Sequence, residues 1–152
     1  MRLSTKLDPS MVLIAPPAAD REDLFRRFGE VFAAAGLVAS VDDVVARLVE
    51  REAILSTGIG GGVAVPHAQI PHLGRLVMAA STHPGGLAYP ALDEQPVRLV
   101  FCLLGDAGTT ADHLAGLARL ARLARRRDAL EPLVAAADGA AFVAELALLE
   151  GV

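Results

Sequence analysis

At 152 residues the chain has the length of one domain, enough to bury about 70% of its unfolded surface without disulfide or metal staples. A net charge of −4, with 53% apolar residues, excludes the basic footprint of a nucleic-acid-binding domain. No run approaches the ~20 apolar residues of a membrane span, Met1 to Lys6 leads into no signal-like stretch, and the single Cys102 excludes an internal disulfide, so a cytoplasmic globule without membrane insertion is expected.

Asp20 predicts an N-cap, with Glu22 and Asp23 in the first turn, where the helix dipole favours carboxylates. Leu24, Phe25, Phe28, Val31, Phe32 and Ala35 then recur at helical spacing, and Gly36 is a stop. Ser40 with Asp43 has the layout of a capping box and opens a second helix, lined by Val44, Val45, Leu48 and Val49 and ending near Glu52. Val63-Ala64-Val65, Leu76 to Ala80 and Leu99 to Leu104 are short apolar runs bounded by glycine, proline or charge, which predicts buried strands. Pro84-Gly85-Gly86 predicts a turn between the last two. After Gly105 the helical period returns, with Leu114, Leu117, Leu120, Ala121 and Ala124 on one predicted core face. Glu131 to Ala137 and Phe142 to Leu149, the latter capped by Asp138, complete a helical C-terminal third. Helices at both ends of a strand-rich middle imply an α/β sandwich with helices covering the sheet. With no repeat or linker, residues 1–152 are expected to form a single domain.

The chemistry centres on histidine. Of His67, His72, His83 and His113, His67 has the most specific setting. Pro66 fixes its own φ and biases Val65 toward extended geometry, so His67 is expected to project from the stiff end of a strand. Upstream, Ser56-Thr57-Gly58-Ile59-Gly60-Gly61-Gly62 is a glycine-rich loop whose backbone N–H groups can form an anion-binding concavity. The glycines fit neither a P-loop, since no lysine follows, nor a dinucleotide fingerprint, since Val63 takes the third glycine position. A small hydrolase using Ser56 or Thr57 with His67 stays open but lacks a nucleophile elbow. No cluster has metal-ligand spacing, so no metal and no cofactor are expected, and Cys102 reads as a core residue. Arg51, between Glu50 and Glu52, reads on its own as a solvated helix-end arginine, and His113 as a surface or packing residue. Arg119, Arg122, Arg125, Arg126 and Arg127 form a basic strip, which fits a solvated face better than a docking surface.

The run from Arg51 to His67, REAILSTGIGGGVAVPH, closely resembles the signature of type-2 enzyme IIA domains of the bacterial phosphoenolpyruvate-dependent phosphotransferase system. That group includes fructose and mannitol IIA domains and nitrogen-regulatory IIA proteins. Leu87-Ala88-Tyr89 with Leu92 to Val97, the strand Leu99 to Leu104, and His113-Leu114 followed by Leu117 extend the similarity over nearly the whole chain. The resemblance implies a mixed central β-sheet flanked by helices on both faces. It identifies His67 as the acceptor of a phosphoryl group from an HPr-type histidine phosphocarrier, with Arg51 and His113 as its helpers. Ser56, Thr57, Gly58 and Gly60 are the expected phosphate-loop donors. Two departures stand out. Tyr89-Pro90 replaces an aromatic-aspartate pair, which predicts a missing polar contact, and no Asn or Asp within the loop helps to shape it.

The activity implied by the resemblance is that of a phosphohistidine carrier, a phosphotransferase component without turnover of its own. No attached IIB, IIC or HPr segment is expected, and the Leu92 to Val97 wording is nearer the nitrogen-regulatory type. The expected function is therefore a regulator whose phosphorylation state controls its binding to target proteins. The alternatives are a fructose- or mannitol-type IIA component that passes phosphate to a IIB cysteine, and a binding module of the same fold that is never phosphorylated.

Overall fold

The structure, a computed structural model, describes residues 2–151. A short helix α1 (Leu3–Lys6) and a 3₁₀ turn lead into β1 (Val12–Ile14), followed by α2 (Arg21–Ala34) and α3 (Val41–Ile54). The strand-rich middle holds β2 (Gly58–Gly60), β3 (Val63–Ala64), β4 (His67–Gln69), β5 (Val77–Leu87) and β6 (Val97–Gly105). Helices α4 (Thr110–Ala124), α5 (Leu130–Val134) and α6 (Gly139–Leu149) close the chain. The three expected caps form. Asp20, Ser40 and Asp138 accept from the backbone N–H groups of Asp23, Asp43 and Ala141. The capping box at Ser40 does not close reciprocally, because the Asp43 carboxylate binds Arg47 instead. Helix α3 runs two residues past Glu52, to Ile54.

The strands make one mixed sheet of six, in the order β1-β5-β6-β3-β2, with β4 beside β6. The β5–β6 and β2–β3 pairs are antiparallel, and the β1–β5, β3–β6 and β4–β6 pairs are parallel. Every residue from Val77 to His83 and from Leu99 to Gly105 is buried. Successive side chains of a strand point to opposite faces, so unbroken burial means that helices cover both faces of the sheet.

The middle of the chain departs from expectation in three places. Pro84-Gly85-Gly86 is not a turn but lies exposed within β5. The ladder to β6 jumps from Thr82↔Leu99 to Leu87↔Val97, five steps on one strand against two on the other. The proline and glycines occupy this bulge, where no ladder N–H is required of them. Secondly, Val65 falls outside any strand, and His67 starts β4 rather than ending a strand. The pairs Val63↔Leu99, Ala64↔Val100, His67↔Leu103 and Ala68↔Leu104 keep one register, so β3 and β4 form a single line interrupted by Val65-Pro66. Pro66 has no N–H to pair, yet its carbonyl accepts from Leu103 N at 3.0 Å. Thirdly, the glycine-rich segment is a β2–β3 hairpin that turns at Gly60-Gly61-Gly62, all with positive φ. Gly61 is doubly required, since a Cβ there would lie 2.4 Å from the carbonyl oxygen of Ala124 at the end of α4.

A buried carboxylate holds these elements together. Glu52, in the last turn of α3, is 5% exposed and accepts from Thr57 N at 3.1 Å and from the hydroxyls of Thr57 and Tyr89. Arg21, at the start of α2, lies 3.6 Å from it. Phe25 of α2 packs edge-on against the Tyr89 ring, with centroids 6.2 Å apart. The polar contact expected to be lost near Pro90 is replaced, because the Ser56 hydroxyl donates to the Pro90 carbonyl. The missing loop carboxylate is supplied from outside by Asp93, which accepts from Gly61 N at 3.1 Å. Elsewhere in the sheet, buried His83 shares a 2.8 Å hydrogen bond with Ser81 Oγ, and burial pushes its pKa down to about 4.

Tyr89→Phe removes a hydrogen bond to a buried carboxylate and should lower the unfolding free energy by about 1.5–3 kcal/mol in urea titration at pH 7. His83 should make the fold acid-sensitive. Its folded pKa lies below the ordinary 6.5 of the unfolded chain, so its contribution is complete above pH 6.5 and falls as pH drops toward about 4. That loss amounts to about 3 kcal/mol. In His83→Gln, the decline in melting temperature between pH 6.5 and 4 should be correspondingly shallower.

Candidate functional site

A groove of about 530 Å³ lies between α3, β4 and the first turns of α4. Its walls carry Arg47, Glu50, Arg51 and Ile54 from α3, His67, Ala68 and Gln69 from β4, and Thr110, His113, Leu114 and Leu117 from α4. Each element arrives there for a local reason. His67 stands on the strand segment that restarts after Pro66. His113 comes down over the end of β6 because Gly105 has no side chain. A Cβ at Gly105 would meet Thr109 Oγ1 at 2.6 Å and His113 Nδ1 at 3.3 Å. A capping box between Asp106 and Thr109 sets the direction in which α4 departs.

His67 Nδ1 lies 2.8 Å from the carbonyl oxygen of Val65. That carbonyl can only accept, so Nδ1 carries the proton and Nε2 keeps its lone pair. The His67 and His113 rings meet edge to face, with centroids 5.1 Å apart and planes at 70°. Burial lowers the His67 pKa below 6.5. The Val65 contact and Glu52 oppose that shift, and the Arg51 charge adds to it. Burial and the neighbouring His67 lower that of His113 as well. Both rings are therefore mainly neutral at pH 7. Arg51, in the last turn of α3, donates from Nη1 to Leu55 O at 2.8 Å, which holds its guanidinium at the helix end beside the groove.

Of the candidate residues in the sequence, the structure brings His67, Arg51 and His113 together. Ser56, Thr57, Gly58 and Gly60 lie outside the groove wall, and their neighbours occupy their donors. Ser56 Oγ is bound to Pro90 O and accepts from Gly58 N at 3.1 Å. Thr57 is committed to Glu52, and Gly60 stands in the β2–β3 ladder. Ser56 is turned to Pro90 rather than to His67, which removes the basis for a Ser56–His67 hydrolytic pair. Among the described residues no three His, Cys, Asp or Glu side chains gather as metal ligands. No described helix is long and apolar enough to cross a membrane.

Several groove residues do not stand out in the sequence. Arg47 precedes Arg51 by one helical turn and shares its face, a signal visible in the i, i+4 spacing. The spacing of Leu114 predicts a place on the core face of α4, but it is 62% exposed. Gly116, Leu120 and Leu123 make that core face instead, and Leu114 forms the groove rim opposite Ile54, which is 79% exposed. In the basic strip, Arg119 pairs with Glu150 at 3.6 Å and Arg126 with Asp128 at 2.7 Å.

Residues 5–148 match the family model described as "Phosphoenolpyruvate-dependent sugar phosphotransferase system, EIIA 2". A nitrogen regulatory protein of Bradyrhizobium diazoefficiens is 41% identical over 101 residues, a match spanning 66% of each chain. A fructose-specific EIIA component of Haloferax volcanii is 29% identical over 134 residues, 88% of this chain and 87% of that one. The crystal structure of nitrogen regulatory protein IIA-Ntr from Neisseria meningitidis superposes with a TM-score of 0.87 at 27% identity, covering 95% of this chain and 98% of that one. With the match running through both flanks of the groove, the chain belongs to the EIIA 2 family of the phosphoenolpyruvate-dependent sugar phosphotransferase system.

Proposed function

We propose that the chain is a cytoplasmic phosphocarrier in which His67 Nε2 accepts a phosphoryl group from an HPr-type histidine phosphocarrier. The observation that carries this reading is the pairing of His67 Nδ1 with the Val65 carbonyl, which leaves Nε2 unprotonated in a groove shared with Arg51 and His113. The Nε2 lone pair attacks phosphorus and a new N–P bond forms. The donor's N–P bond breaks, and its electron pair returns to the donor imidazole. The proton stays on Nδ1, held by the Val65 carbonyl throughout, so no base is needed. Such a transfer asks mainly for positioning and charge stabilisation. Arg51 offers a planar fork of donors to the phosphoryl oxygens, and neutral His113 offers one N–H. The exposed Ile54 and Leu114 give a partner apolar purchase on either side of the histidine.

The recipient we favour is a regulatory target protein, which would sense the arrival of a group with near two negative charges. The likeness to nitrogen regulatory proteins supports this branch. The match to a fructose-specific EIIA component supports the second reading, onward transfer to a IIB cysteine.

Incubation with phosphoenolpyruvate, enzyme I and an HPr-type carrier should place one acid-labile phosphate on the protein and none on His67→Ala. Arg51→Ala should slow uptake about 10- to 100-fold, the value of a hydrogen bond to a charged group. Wild type that stays unlabelled would overturn the carrier reading in favour of a non-phosphorylated binding module. In the unphosphorylated protein, the His67 imidazole should titrate by NMR with a midpoint below 6.5, and with the proton on Nδ1 above it.

A further inference from the structure

Arg47 and Arg51 leave the same face of α3 one turn apart, about 6 Å along the helix axis, and both line the groove. Arg51 is the arginine whose charge reaches the His67 ring. Arg47 is held back. Its Nε lies 3.1 and 3.0 Å from the two carboxylate oxygens of Asp43, and its Nη1 lies 3.3 Å from the carbonyl of Gln69, two residues after His67 on β4. A guanidinium has five N–H donors, and these contacts leave part of the fork unused. The Arg47–Asp43 pair is an i, i+4 helix pair with side chains 38% and 47% exposed. Pairs of this kind contribute little and exchange readily.

Charge balance gives Arg47 a task. A phosphoryl group on His67 carries near two negative charges, and Arg51 supplies one positive charge. The wall also contains Glu50, which adds to the deficit. Among the described residues lining the groove, Arg47 brings the one further positive charge. Resting on the phosphocarrier reading, we propose that Arg47 is a second phosphoryl-contacting arginine, released from Asp43 when His67 is phosphorylated. The exchange has a second face. Arg47 and Asp43 also wall a neighbouring hollow of about 420 Å³ with Ser40 and His72. Phosphorylation would convert a neutral ion pair there into an uncompensated carboxylate, so the state of His67 becomes legible at the N-terminal end of the same face of α3.

The test is ³¹P NMR of phosphorylated wild type, Arg47→Gln and Asp43→Asn, titrated from pH 5 to 9, with the lifetime of the phosphohistidine followed in parallel. Loss of the second guanidinium should raise the midpoint of the phosphoryl titration by roughly half to one pH unit and shorten the lifetime severalfold. Asp43→Asn, which frees Arg47, should move both in the opposite direction. A structural role for the Arg47–Asp43 pair would instead make the two variants behave alike, and that result overturns the assignment. Label on wild type with an unchanged midpoint in Arg47→Gln overturns it alone. No label on wild type overturns the carrier reading and this assignment with it.

Discussion

The site depends on one buried carboxylate. Glu52 is taken out of water at the end of α3, and such a charge is tolerated only when its hydrogen bonds are complete. Completing them requires the start of α2 through Arg21, the hairpin entry through Thr57, and the segment before β6 through Tyr89. Three segments are thereby tied to the helix end that also presents Arg51. A carboxylate that exists to be satisfied makes a sharper specification of position than apolar contact, because it fixes direction as well as proximity.

The second device is the interruption at Val65-Pro66. A continuous strand would have committed the Val65 carbonyl or its neighbours to a ladder. The break keeps register on both sides while turning that carbonyl back onto His67 Nδ1. A backbone feature thus decides the protonation pattern of a side chain two residues on. The choice of tautomer costs no additional residue, and it persists whatever happens at the other ring nitrogen.

Much of this is legible in the sequence where local chemistry decides. The caps at Asp20, Ser40 and Asp138 and most of the apolar faces of α2 and α3 follow from periodicity and N-cap preference, and the structure departs only at Val49, which is exposed, and at Ala35, which is exposed just past the end of α2. The motif around His67 points to the family and the fold. The differences arise where tertiary contacts override local pattern. Pro84-Gly85-Gly86 has turn composition, yet β6 pairs on both sides of it and absorbs it as a bulge. The glycine run has the composition of an anion-binding loop, but Glu52, Asp93 and the β2–β3 ladder engage its neighbours. Leu114 has the spacing of a core residue, and only the packing of α4 on β6 shows that the core face lies some way round the helix. Arg47 escapes notice because its partner Asp43 makes it look like an ordinary surface ion pair.

Gly61 carries a mechanical consequence. Its missing side chain lets the hairpin tip abut the Ala124 carbonyl at the far end of α4, whereas His113 stands in the first turn of the same helix. A helix of 15 residues is a rod about 22 Å long, braced at one end by the hairpin and seated at the other against Gly105. The rod that carries His113 therefore ends against a turn with no chemical part in the groove. Any side chain at position 61 would bear on the far end of the helix that holds His113 over the groove.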